Sequence, residues 1–400
     1  MSELLDQQAR SPGHPCPSRL PARPFFAAGP TVKPPGWELD QLSDAFLGRT
    51  FRHPDGLARL RAVITRSAGL LDLPAGYRVA IVPGSDTGAI ELALWNLLGP
   101  VPVDVCCWEN FGFTWLADVV EQLRLPDVTV HRADRYGALP DLSRVDFDHD
   151  VVFPWNGTTA GVCVPDAAWI PDDRAGLTIC DATSAIFGMA LDPAKLDVIT
   201  WSWQKALGGE AAHGMIALSP RAVERLETFR PDRALPKLFR ITRNGRLNEE
   251  IFDGFTINSP SMLAVEDVLR ALDWCERIGG VPELIARSRR NLDVVARWVR
   301  QHPHVDFLAE DPRTVSSTSI CLRFRHAAFD GLSRDRQAAF VDRLCARLER
   351  AGAGYDLAPH REAPPGLRIW GGPTVEATDL ELLLPWVDWA FAETLHEFGG

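Results

Sequence analysis

Two residues define the chemistry this chain is equipped for. Lys205 lies in "TWSWQKALGGEAAHG", residues 200 to 214, where an ammonium group sits among tryptophans although lysine ordinarily seeks solvent. Asp181 lies in "LTICDATSA". Each closes a short β-rich run, and side chains at the carboxyl ends of neighbouring parallel strands converge on one cleft. A lysine shielded from water gives up its proton more readily and becomes a nucleophile. An aspartate facing a pyridine nitrogen keeps that nitrogen protonated. The pair therefore suits pyridoxal phosphate, held as a Schiff base on the lysine and acting as an electron sink. Only four lysines occur, Lys33, Lys195, Lys205 and Lys237, so candidates for an amine nucleophile are few.

The elements that must carry these residues can be read from hydrophobic runs. Seven of them, Arg78–Pro83, Val103–Trp108, Val128–Arg132, Asp150–Trp155, Leu177–Asp181, Asp197–Trp203 and Gly214–Ser219, have strand length and β-branched composition. Helical patterns separate several of them, such as "AIELALWNLL" from Ala89 and "WLADVVEQL" from Trp115. Strands alternating with helices predict a mostly parallel seven-stranded sheet covered on both faces, an α/β architecture. From Ser261 the pattern changes to two long helices, the strand "TSICLRFR", a helix, the strand "LRIWG" and a last helix from Val375 to about Phe391. This gives a proline-rich disordered arm over residues 1–24, a large domain over 25–280 and a smaller C-terminal α/β domain over 281–400.

Three further loops follow strands of the same sheet. "PGSDTG", Pro83 to Gly88, opens a helix whose first turn Asp86 or Thr87 can cap and whose free amides can hold a phosphate. Trp115 offers an aromatic face at the start of a helix. "WNGTT", Trp155 to Thr159, supplies hydroxyls for a ring oxygen. Each alone reads equally as a turn, a core tryptophan or a cap. Together with Lys205 and Asp181 they fall on one edge of one sheet.

Composition removes other classes. Hydrophobic residues make up 46 % and charged residues 24 %, with a formal net charge of −11. Such a balance excludes an affinity built on neutralising phosphates, so no nucleic-acid partner is expected. The eight cysteines show no paired or metal-like spacing, and the ten histidines form no zinc motif. They read as buried thiols of a reducing compartment, and a cytoplasmic location is expected. The first ten residues lack the cationic start and apolar centre of a secretion signal, and no apolar run nears the ~20 residues of a membrane helix.

The segment "DVITWSWQKALGGEAAHGMIALSPRAVERLE" resembles phosphoserine aminotransferase, a class V family of fold-type I enzymes dependent on pyridoxal phosphate. The resemblance runs from about Gly29 to Phe391 and includes "SDTGAIELALW", "DVVFPWNGTT", "LTICDATSA", "SWQKALGGE", "TINSPSM" and "APPGLRIWGG". It implies that Lys205 is the Schiff-base lysine and that Asp181 pairs with the pyridine nitrogen. Trp115 would stack on the ring, and Thr158 would lie against its face or its O3′ side. Asp86, Thr87 and Gln204 would surround the cofactor phosphate, joined by Asn258 and Ser259 from the partner subunit, so a homodimer with shared active sites is implied. Arg368 matches the arginine for the substrate α-carboxylate. His360 and Arg361, with Arg52 from the other subunit, match the cluster for the distal anion.

The departures fall on the substrate side. The family's opening Asn-Phe-Ser-Ser-Gly-Pro is here "FFAAGP", with Ala27 and Ala28 in place of both hydroxyls. The family's His-Arg pair is Phe51-Arg52, with His53 as a neighbour able to move in. The resemblance therefore implies a transaminase exchanging an amino group between glutamate/2-oxoglutarate and 3-phosphooxypyruvate/O-phosphoserine or a similar anionic 2-oxo acid. The alternative implied by the departures is a repurposed transaminase or lyase acting on a phosphonate or sulfonate amino acid.

Overall fold

The computed structural model describes residues 15–399. Strands β1 (Arg78–Pro83), β2 (Val103–Cys107), β3 (Val128–Arg132), β4 (Asp150–Pro154), β5 (Thr178–Asp181), β6 (Val198–Ser202) and β7 (His213–Leu218) form one sheet in the order β1-β7-β6-β5-β4-β2-β3. Only β7 runs against its neighbours; the other pairings are parallel. The expected runs and the observed strands coincide to within a residue or so, because strands buried on both faces are near-continuous apolar stretches. The pleat divides them: in β1, Val79 and Ile81 enter one core, and Ala80 and Val82 enter the other.

Helices α1 (Pro54–Leu70) and α5 (Met262–Ile278) cover the first face, with α2 (Ser85–Leu97), α3 (Asn110–Ala117) and α4 (Pro220–Thr228) on the second. Helix α6 (Gly280–Gln301) carries Leu284 in the first core and Val294, Val295 and Trp298 in a third. That third core lies with the antiparallel strands β8 (Val305–Phe307), β9 (Ser319–Phe324) and β10 (Leu367–Trp370) and with α7 (Arg334–Ala351) and α8 (Ala377–Glu397). No helix among the described residues is long and apolar enough to cross a membrane.

Several expectations need correcting. The helix expected from Trp115 begins at Asn110, because the Glu109 carboxylate caps it by accepting from Gly112 N at 3.0 Å. Helix α8 runs past Phe391 to Glu397, which pairs with Arg347, while Phe398 packs edge-on against Phe340. Helix α1 and the short β8 were not foreseen. Of the arm expected to be disordered over 1–24, residues 1–14 lie outside the described residues. The remainder is anchored: Trp386 Nε1 donates to Arg19 O at 2.8 Å, and Ala22 N donates to Asp379 Oδ1 at 2.8 Å. The chain then crosses to the edge of the small sheet, where Trp370 N donates to Phe26 O at 3.0 Å.

A buried carboxylate fixes the amino end of β6. Asp197 is 1 % exposed and accepts from Thr178 N (3.0 Å) and Ser219 Oγ (2.8 Å) while pairing with Arg174 (3.1 Å) and Arg221 (2.9 Å). Removing one partner of a buried ion network leaves the others uncompensated. Asp197→Ala is therefore expected to lose about 3–5 kcal/mol of stability, read from the denaturant midpoint.

Candidate active site

Asp181 and Lys205 stand at the carboxyl edge of the sheet, where β5 and β6 pair with Asp181 opposite Thr200. Asp181 is largely buried. Its Oδ1 accepts from Thr183 N at 3.0 Å and its Oδ2 from Trp115 Nε1 at 3.1 Å. Lys205 makes no ion pair among the described residues; its Nζ donates to Ala28 O at 2.5 Å. Burial, then the Arg368 guanidinium, bring its pKa down to about 8 against the opposing pull of Asp181, Asp86 and Glu109. Backbone contacts hold the lysine there: Thr31 Oγ1 donates to Lys205 O at 2.6 Å and Thr31 N to Gln204 O at 3.0 Å. Gly29 has φ 143°, a conformation that favours glycine, and a Cβ there would lie 2.5 Å from Lys205 Nζ.

Beside this pair is a cradle suited to a phosphate. Helix α2 begins after Gly84 (φ 82°) with no side-chain cap; Ser85 N donates to Ala212 O at 3.3 Å, which leaves the amides of Asp86 and Thr87 for an anion. Thr87 is exposed at this turn. Gln204 Oε1 is buried without a hydrogen-bond partner. A positive helix end and a hydroxyl fit the phosphate of pyridoxal phosphate, as Asp181 fits its ring nitrogen and Lys205 its aldehyde. The Asp86 side chain does not cap α2; it turns inward to Asp181, Thr183 and Thr200, so Asp86 offers the phosphate its backbone amide. Burial, then the charge of Asp181, push its pKa well above the ordinary carboxylate range.

The ring walls come from two loops locked together by a residue that sequence reasoning missed. Glu109 is fully buried and accepts from Gly112 N, from Thr159 N at 3.1 Å and from Thr159 Oγ1 at 2.7 Å. It fixes α3, and with it Trp115, against the "WNGTT" loop. The signal was an acidic residue directly after a strand and before a helix; its partner Thr159, 50 residues on, was not foreseeable. Trp115 is buried with its Nε1 edge turned to Asp181, which makes it a donor to that carboxylate as well as the candidate stacking ring. Thr158 Oγ1 donates to Ser184 Oγ at 2.7 Å, and Thr158 O accepts from Ser319 Oγ of β9 at 2.5 Å.

On the substrate side, Arg368 in β10 has a buried Nε without a partner and no ion pair among the described residues. Its charge acts on both Lys205 and His360. The His360 ring lies 6.1 Å from that of Phe111, and burial, then Arg368 and Arg361, lower its pKa and favour the neutral form. Arg361 is exposed and pairs with Glu362 at 3.4 Å, so the structure does not gather it toward Arg368. Arg52 is exposed with its guanidinium 4.4 Å from the centre of the Phe51 ring, and Phe51 itself is core. His53 is engaged as the cap of α1, accepting from Asp55 N at 3.2 Å. Asn258 and Ser259 are exposed before α5, a loop tied back where Ser261 N donates to His213 Nε2 at 2.9 Å.

A seven-stranded sheet of this topology, with a desolvated lysine and a donor-rich aspartate on adjoining strand ends, defines an aminotransferase of fold type I whose cofactor is pyridoxal phosphate. No family model matches the chain. A phosphoserine aminotransferase of Methanosarcina mazei is 50 % identical over 375 residues, covering 94 % of this chain and 98 % of that one. The chain belongs to the phosphoserine aminotransferase family. Its fold matches the phosphoserine aminotransferase of Cytophaga hutchinsonii with a TM-score of 0.75 at 17 % identity, over 94 % of this chain and 99 % of that one. It also matches the pyridoxal phosphate-bound enzyme of Trichomonas vaginalis with a TM-score of 0.70 at 18 % identity, over 91 % and 99 %.

Only the neutral amine attacks an aldehyde. The apo-enzyme is therefore expected to capture pyridoxal phosphate faster as pH rises, about tenfold per unit below the Lys205 value and levelling off above about 8. Stopped-flow absorbance over this range checks the profile.

Proposed function

We propose that this enzyme moves an amino group between glutamate/2-oxoglutarate and 3-phosphooxypyruvate/O-phosphoserine. It would act as a cytoplasmic homodimer with shared active sites. The observation that carries the substrate reading is Arg368, a guanidinium left without a carboxylate beside Lys205. A charged fork in that position is open to a substrate α-carboxylate, whose bidentate pairing suits arginine. Neutral His360 adds a hydrogen-bonding group, and exposed Arg52 and Arg361 supply charge for a distal phosphate, Arg52 from the partner subunit. Exposed Asn258 and Ser259 are assigned to the partner's cofactor phosphate, beside Thr87 and Gln204 of the other subunit.

When bound, pyridoxal phosphate would supply an electron sink for the carbon that bears the amino group. The protein's share is positioning and proton transfer. Asp181, held by Thr183 N and Trp115 Nε1, keeps a negative charge against the ring nitrogen. Lys205 Nζ, neutral once displaced, would accept the proton leaving the substrate α-carbon and pass it to C4′, the carbon that was the cofactor's aldehyde. Arg368 fixes the carboxylate so that the α-C–H bond faces Lys205, and the Trp115 and Thr158 walls exclude water.

The half-reaction tests this. O-phosphoserine and glutamate are each expected to convert the holoenzyme to its pyridoxamine form, followed by the absorbance change. Faster conversion by a phosphonate amino acid or cysteate would overturn the substrate reading. Arg368→Ala is expected to cut kcat/KM by about 100-fold, since a charge-assisted pair with a half-buried guanidinium is worth up to about 3 kcal/mol. An unchanged value would remove Arg368 from the substrate's path.

A further inference from the structure

Asp86 is a carboxylate that the reaction described above does not use. It is 6 % exposed, forms no ion pair among the described residues, and its Oδ1 is buried with no hydrogen-bond partner. Facing it are the Asp181 carboxylate and the hydroxyls of Thr183 and Thr200, which are themselves buried without partners. Cys180 on β5 and Lys205 across the cleft lie within electrostatic reach of Asp86, and Glu109 lies within reach of Asp181.

The two carboxyls differ in one respect. Asp181 receives two N–H donors, from Thr183 and Trp115, that stabilise its negative charge. No backbone or indole N–H donates to Asp86 among the described residues. Two carboxylates brought together away from water do not both ionise, and the proton resides on the group whose charge is less well solvated.

We propose that Asp86 is a positioning residue, a neutral carboxylic acid whose O–H donates to Asp181 and holds that carboxylate singly charged and oriented for the cofactor's ring nitrogen. The idea rests on the role given to Asp181 above. It assigns the second residue of α2 a task distinct from phosphate binding: Thr87 and the helix amides serve the phosphate, and the Asp86 side chain serves the opposite end of the ring. A second ionised carboxylate would place two charges against one nitrogen and leave Asp181 free to rotate. The shared proton removes that repulsion and adds a third donor to Asp181. Burial and the neighbouring charge both favour the protonated form of Asp86, against the weaker opposing pull of the Thr183 and Thr200 hydroxyls.

The sign of the pH dependence follows. A carboxyl whose folded pKa lies above its unfolded value keeps a proton that unfolding releases. Its stabilisation is complete below the unfolded value and is lost as pH rises toward the folded one. Cofactor-free enzyme unfolded by denaturant at a series of pH values, compared with Asp86→Asn, isolates this proton from those of Glu109 and Asp150, whose values are also raised. The expected result is a ratio of folding constants, wild type over variant, that falls about tenfold per pH unit from about pH 5 upward. A ratio independent of pH overturns the proposal. Infrared absorption of the wild-type apo-enzyme gives a second reading that requires no variant to fold. A protonated-carboxyl band at neutral pH is expected, and its absence overturns the proposal. Its decrease in Asp86→Asn, or in Asp86→Thr should the first not fold, assigns that part of the band to Asp86; an unchanged band in the folded variant overturns the proposal. Asp181→Asn tests the premise separately. Absorption of bound pyridoxal phosphate unchanged in that variant would overturn the positioning role while leaving the Asp86 proton standing.

Discussion

An amine without a carboxylate of its own is the constraint around which this structure is arranged. Lys205 is half-buried, its Nζ rests on the carbonyl of Ala28, and Arg368 acts with burial to lower its pKa. Pairing it with an acid would have produced a stable ammonium ion and an inert site. Instead the acids are held back: Asp181 is occupied by Thr183 and Trp115, Glu109 by Gly112 and Thr159. The cleft therefore has a negative end at the strand tips, a positive end at Arg368, and a reactive amine between them.

That arrangement needs all three cores to meet at one place. The large sheet supplies Asp181 and Lys205, with antiparallel β7 bringing His213 beneath the loop that leads into α5. The small sheet reaches in through Ser319, whose hydroxyl donates to Thr158 O, and through Arg368. Residues 24–31 stitch the two together, bonded to Tyr355 and Trp370 on one side and to Gln204 and Lys205 on the other. The carboxylate anchor, the wall and the lysine's resting partner are thus joined through one set of contacts.

The sheet and the reactive pair were legible because their causes are local. Buried parallel strands are apolar throughout, and Lys205 and Asp181 each end one, so their meeting follows from the architecture. Helix α1 was missed although Leu57, Leu60, Val63 and Ile64 recur at helical spacing; the cue that starts it, a histidine cap at His53, is an uncommon one. Asp86 looked like a cap by spacing. Only the approach of β5 turns it toward Asp181, and no local pattern encodes that. Glu109 was hidden for the same reason, its partner lying far along the chain. Arg361 and Arg52 resemble family anchors in sequence, yet both face solvent in a single chain. Phe51, a departure from the family pattern, is buried in the hydrophobic core rather than presented to a ligand.

The central claim is that one of only four lysines is the site of cofactor attachment. Reducing the holoenzyme with borohydride makes the linkage permanent, and peptide mass mapping then locates the pyridoxyl group. The account predicts the adduct on the peptide containing Lys205 and none on those containing Lys33, Lys195 or Lys237. An adduct on any of these three, with Lys205 unmodified, would contradict it.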